Sequence, residues 1–263
     1  MFWVVFLLFS LWWILVPSLN SKESFLNGDL FADTYGSVAL LGAIVGFVAS
    51  NKWGCFKSYV GRSLFFFSLG LFFQFLGQLS YTLIYRFTGV ENAYPSFGEI
   101  FYILTIPSYI LAVWYIANSS GIKTAIRTRA NKIISVVVPL IFVAASYFLL
   151  LHSNIVDISE YDNPIGFYLD YFYPIAQALF VSMAISTFYI TRGILGGLMK
   201  NKVFFILFSL VFQYVADSSF IYQTRVGTWL AGGSSDYLFV FSYFLMGVAF
   251  FEFAGAYEVL NKT

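Results

Sequence analysis

Asp217 and Gln213 stand four residues apart in an otherwise apolar run of this 263-residue chain. On a helix that spacing puts both on one face. A carboxylate and an amide side by side can hydrogen-bond a polar ligand, attract a cation, or hold each other. Gln74, Gln78, Tyr81 and Tyr85 make a second stripe with helical spacing in another run. The edges of the apolar runs carry four acids, Asp33, Glu99, Asp170 and Asp236, and two arginines, Arg86 and Arg225. Acids entering from one face of a membrane could ring a vestibule that attracts cations. Each arginine could reach an acid of its own or the opposite half of the chain. These eleven residues, with Tyr85 beside them, are the candidate ligand-binding set.

Each also has a plainer role. Amides and carboxylates inside a helical bundle hydrogen-bond neighbouring helices without any ligand. Arginines at helix ends snorkel to headgroups. Ser96-Phe97-Gly98-Glu99 has the spacing of a capping box, in which Ser96 accepts from the first turn and Glu99 reaches back. Pro95 keeps the chain from being helical just upstream. Asp33, Asp170 and Asp236 admit the same capping explanation. Asp217 does not. It lies fifteen residues past Lys202, about 22 Å along a helix, and a carboxylate within a bilayer costs about 2.5–3.5 kcal/mol on insertion scales. It should therefore face protein and have a partner.

Several chemistries are excluded. The eight lysines all fall outside the apolar runs, so no buried amine can form a Schiff base. His152 is the single histidine, too few for a zinc or metallohydrolase site. Gly193, Gly196 and Gly197 are not followed by the Gly-Lys-Ser/Thr of a phosphate loop. Cys55 is the single cysteine, so no internal disulfide can form. A net charge of +1 points to no particular partner. No catalytic residue, metal, cofactor or nucleic-acid partner is expected.

The elements that must position these residues follow from composition. The chain is 60% hydrophobic and only 10% charged, against about 25% charged in soluble domains. Too little charge remains to cover a surface against water, so the expected partner is the lipid bilayer. Apolar runs near the roughly 20 residues of a membrane span occur eight times, at about Phe2–Leu19, Tyr35–Ser50, Ser63–Tyr85, Phe97–Ala117, Ile133–Leu151, Phe167–Ile190, Val203–Tyr222 and Tyr237–Tyr257. Basic residues split eleven to three between the two sets of connections. Only Lys22, Arg86 and Arg225 fall on the poorer side. By the positive-inside rule both termini lie in the cytoplasm of a multi-pass cell-membrane protein. The first run lacks a basic flank and an Ala-x-Ala site, and is expected to be a retained helix rather than a signal peptide.

The runs repeat in pairs. A shift of 139 carries Gln74 onto Gln213, Gln78 onto Asp217, Ser80 onto Ser219 and Arg86 onto Arg225. A shift of 137 carries Asp33 onto Asp170 and Glu99 onto Asp236. The expected fold is an all-α membrane bundle of two parallel four-helix repeats, residues 1–132 and 133–263, with a ligand site at their seam.

The stretch Pro95-Ser-Phe-Gly-Glu-Ile-Phe-Tyr102, with Pro107 following, resembles the Pro-Ser-x-x-Asp-x-x-Tyr segment of a bacterial membrane region that precedes GGDEF diguanylate cyclase domains and some histidine kinases. Asp217, the Gly-containing connection after it, Ser235-Asp236 and Tyr243 resemble its second half. Glu99 stands where that family has Asp, and Gln78 where an acid is expected. The resemblance implies a multi-helix sensor input module with an unidentified ligand. No output domain is expected after helix eight, and signalling is expected to pass through a separate protein on the cytoplasmic side. Two other readings fit the same architecture. One is a transporter or permease, for which kinks at Pro107, Pro139 and Pro174 suit alternating access. The other is a subunit of a membrane complex, for which the polar stripes are packing contacts.

Overall fold

A computed structural model of the protein describes residues 2–19, 26–90, 94–152, 163–193 and 199–260. Lys22, Gly196, Gly197 and Lys262 lie outside the described residues, as does the side chain of His152. The described residues are all-α: α1 (Phe2–Leu19), α2 (Gly28–Thr34), α3 (Gly36–Lys52), α4 (Tyr59–Thr88), α5 (Gly98–Ser119), α6 (Ile122–Ala125), α7 (Arg129–His152), α8 (Pro164–Thr191), α9 (Lys200–Arg225) and α10 (Ser234–Leu260). Each of the eight apolar runs falls on a helix. Seven helices are long and apolar enough to cross a membrane, with α2 and α3 forming one of them around Tyr35, and α1 is a shorter apolar helix. Several outrun their apolar stretch. The thirty residues of α4 span about 45 Å.

Helix ends are set by local chemistry. Asn27, Ser58 and Asn163 accept from Leu30 N (3.0 Å), Gly61 N (2.8 Å) and Ile165 N (3.0 Å), satisfying donors that a helix start leaves open. Pro164 fits the first turn of α8, where no N–H is needed. Gly89 ends α4 at φ +68°, a left-handed conformation that glycine adopts without strain.

Packing is the reverse of a water-soluble helix. On α3 the buried face is Ala39, Ala43, Gly46 and Ala49, while Ile44 and Val48 are each about half exposed. In water that arrangement would squander the larger apolar groups. In lipid, association gains from close backbone contact, which small residues permit. A Cβ at Gly46 would lie 2.1 Å from Ser68 Oγ and 2.7 Å from the Phe250 ring, so α3 sits tight against α4 and α10.

Six helices form a closed ring. The order is α3, α4, α5, α8, α9, α10, each packed on the next and α10 returning to α3. Outside it, α1 packs on α10 and α2, with Trp13 donating to Gly233 O (3.2 Å) and Phe6 stacked on Phe244. α7 packs on α8 and α9, and most of its surface is exposed. Ser146 pins it there, donating to Pro174 O (2.9 Å) and bonding the Tyr214 hydroxyl (2.9 Å).

The connections after α3, α5 and α8 lie at one end of the ring and carry most lysines and arginines. This is the basic end. There Lys202 pairs with Glu252 at 3.4 Å and Lys52 with Glu258, so Glu252, for which the sequence suggests no partner, has one on α9. The opposite, acidic end holds Asp29, Asp33, Glu99, Asp170 and Asp236 near helix termini. Toward the basic end the ring is filled. Tyr109 meets Phe180 and Phe67 ring to ring, and Leu71, Met246 and Phe250 are fully buried. The Tyr109 ring lies where a Cβ of residue 70 would be, 2.2 Å from its Cε1, so only glycine fits there.

Candidate functional site

Toward the acidic end the ring stays open. It encloses a cavity of about 690 Å³, walled by α4, α5, α8, α9 and α10, with α2 and Tyr35, at the head of α3, completing the wall. Nine of the eleven sequence candidates line it: Gln74, Gln78, Tyr81, Asp33, Glu99, Asp170, Asp217, Arg225 and Asp236. Tyr85 lines it as well. Arg86 and Gln213 do not; each stands behind a residue that does.

The two arginines bind acids of their own half. Arg86, in the last turn of α4, donates through Nε to Asp33 Oδ2 at 3.0 Å, with NH2 on the same oxygen. Arg225, at the end of α9, donates through Nε to Asp170 Oδ2 at 2.9 Å, again with NH2 alongside. Asp170 also accepts from Tyr94 at 2.6 Å. Tyr94 sits in the connection before α5, beside the cis Tyr94–Pro95 bond. Burial, and then the Asp170 carboxylate, raises its pKa and keeps the phenol protonated. Asp33 and Asp170 are therefore ion-pair partners, and the capping role does not hold for them.

The capping box is half formed. Ser96 Oγ accepts from Gly98 N at 3.1 Å, as the spacing suggests. Glu99 does not reach back. One carboxylate oxygen takes the Tyr81 hydroxyl of α4 and the other takes the Tyr173 hydroxyl of α8. Glu99 is 6% exposed; buried that far, a carboxylate is better satisfied by two side-chain hydroxyls than by one exposed cap. Asp236 keeps a cap-like bond, accepting from Gly232 N at 2.8 Å.

Deeper in, Gln78 makes three of the four hydrogen bonds its amide can make. Its Oε1 accepts from Tyr35 (2.8 Å) and Tyr102 (3.3 Å), and its Nε2 donates to Ala32 O (2.8 Å). Gln74 Oε1 accepts from Tyr243 at 3.2 Å. Gln213, 1% exposed, donates to Asp217 Oδ2 at 3.0 Å and accepts from Ser242 at 3.3 Å. Asp217 thus has the polar partner that its depth demands, and its carboxylate faces the cavity rather than lipid.

The matched positions share some bonds and not others. The pairs Asp33–Arg86 and Asp170–Arg225 occupy corresponding places under the shifts of 137 and 139. Thr105 donates to Gly70 O (3.5 Å) and Ser242 to Ser209 O (2.9 Å), again at corresponding places. At the centre the likeness ends, because Gln78 is a neutral amide bonded to Tyr35, Tyr102 and Ala32 and its counterpart Asp217 is a carboxylate lining the cavity.

Several lining residues escape a sequence reading. Tyr35 and Tyr173 are two of nineteen tyrosines and carry no local signature, and Tyr102 and Tyr243, though part of the resembling stretches, are not among the candidate ligand residues. Gln177 had one. It stands seven residues after Asp170, on the same face of α8, and is an amide in an apolar helix. It is 6% exposed, and its Oε1 lacks a hydrogen-bond partner. Among the described residues no three acids, histidines or cysteines converge as a metal site would require. Compared with protein-family models, with curated proteins and with solved structures, the chain matches none.

Proposed function

We propose that the chain is a membrane-embedded, receptor-like binding module whose ligand enters the cavity from the acidic end. The observation that carries this reading is the gathering of nine polar residues, far apart in sequence, around one space of about 690 Å³, within the roughly 300–1,000 Å³ of small-molecule sites. Most of these groups are paired within the protein, but Gln177 Oε1 beside them is buried without a partner, an arrangement that costs free energy unless something in the cavity meets it. The positive-inside count supports a cell-membrane orientation with the acidic end outside and both termini in the cytoplasm. The matched ion pairs support two similar halves with the site at their seam. The likeness of residues 95–102 to a sensor input region supports sensing, with a separate signalling protein at the cytoplasmic face as recipient. The filled basic half, around Tyr109, Phe180 and Phe250, favours binding over transport, since a carrier needs polar lining along its whole path.

The test is a ligand screen by thermal shift on the full chain in nanodiscs, beside Thr82→Trp. Thr82 lines the cavity, so an indole there occupies the space a ligand needs. A compound that stabilises the wild type and not the folded variant is the expected result. Compounds that stabilise both equally, or none that stabilise the wild type, would refute the reading.

A further inference from the structure

We infer that the cavity takes a small organic cation, an amine on an apolar body, with its charge held at Asp217. This rests on the binding reading above and narrows it to a ligand class.

The charge balance of the wall excludes the opposite sign. Asp29, Asp33, Glu99, Asp170, Asp217 and Asp236 all line the cavity, and among the described lining residues Arg225 is the one cation. Arg225 and Arg86 bind Asp170 and Asp33. The two tyrosine hydroxyls take Glu99. Asp217 has only amide help, from Gln213 and from Gln177. An anion entering this space meets carboxylates on every side. A neutral molecule displaces water from Asp217 and returns no charge, which leaves a desolvated acid uncompensated.

The wall is also aromatic. Tyr35, Tyr102, Tyr243, Phe180, Phe220 and Phe239 line it, and ring faces attract ammonium groups. Gln177 supplies an independent sign. It is more than nine-tenths buried, it lines the cavity, and its Oε1 lacks a partner. A buried acceptor left open calls for a donor, and an ammonium N–H satisfies it. An inorganic ion fits poorly. Calcium or magnesium requires about six oxygens converging within about 2.6 Å, whereas these acids are spread among α2, α5, α8, α9 and α10 and do not converge.

The experiment compares benzylammonium, benzyl alcohol and benzoate, which share a ring and differ in charge. Binding to the full chain in nanodiscs is read by calorimetry. Benzylammonium is expected to bind, and the alcohol and the acid to bind at least about tenfold more weakly. Asp217→Asn should weaken benzylammonium by roughly ten- to a hundredfold, while Glu258→Gln at the basic end leaves it unchanged. If Asp217→Asn fails to fold, Gln177→Met serves instead, with a loss of about fivefold or more. Equal binding of the alcohol or the acid overturns the cation assignment and leaves the binding reading standing. So does an uncharged screening hit that Thr82→Trp abolishes. Absence of binding by benzylammonium, or indifference of its binding to both substitutions, also overturns it.

Discussion

Arg86 and Arg225 make the same bond to the same kind of partner, yet their surroundings differ. The arginine and acid are 53% and 14% exposed in the first pair, and 27% and 9% in the second. Water screens the first pair and competes with it, whereas the second is held in a drier place. Arg86→Gln should therefore cost at most about 1 kcal/mol. Arg225→Gln should cost about 2–3 kcal/mol, because Asp170 is left buried without its cation. Denaturant unfolding in detergent micelles measures both. Equal losses would mean that the burial difference has no energetic weight. Much at this scale was legible beforehand. A carboxylate at the depth of Asp217 had to have a partner, and Gln213 one turn away was the nearest. Glu99 was not legible, because capping is local and visible in four residues, while Tyr173 lies 74 positions away. The Tyr35 and Tyr173 hydroxyls were not legible for a similar reason, whereas Tyr81 and Tyr85 stood on a polar stripe. Where nineteen tyrosines occur, which of them turn inward is decided only by helix rotation.

At the scale of the elements, the runs of apolar residues marked nearly every helix, because bilayer thickness sets a length that composition alone reveals. Their ends were less legible, since α4 and α9 continue past the apolar stretch into polar turns. Which face of each helix turns inward could not be read from hydrophobic pattern, because lipid and protein interior are both apolar. The small residues carry that information instead. Gly46→Ala places a methyl group against Ser68 and Phe250 and should cost about 1–3 kcal/mol. Val48→Ala, two residues on and 51% exposed, should stay within about 0.5 kcal/mol. Thermal unfolding of the two variants in the same detergent checks this pair. A larger loss at Val48 would mean that α3 is rotated from the orientation described.

For the molecule as a whole, ring closure turns scattered polar residues into a site. Six helices packed neighbour to neighbour leave a central space. Large aromatic and aliphatic side chains fill it at the basic end, and carboxylates, amides and tyrosines line it at the acidic end. The sequence suggested a ligand site where residues 1–132 meet residues 133–263, and the cavity is lined by residues of both segments. The most direct measurement is the reactivity of a single cysteine in the cavity. Thr82→Cys, on a Cys55→Ser background, changes little in size at a lining position whose hydroxyl lacks a hydrogen-bond partner. In sealed vesicles of known orientation, a cationic, membrane-impermeant thiosulfonate should label it from the acidic end, at least about tenfold faster than an anionic one. Labelling only from the basic end, no labelling at all, or faster reaction with the anionic reagent would contradict the account.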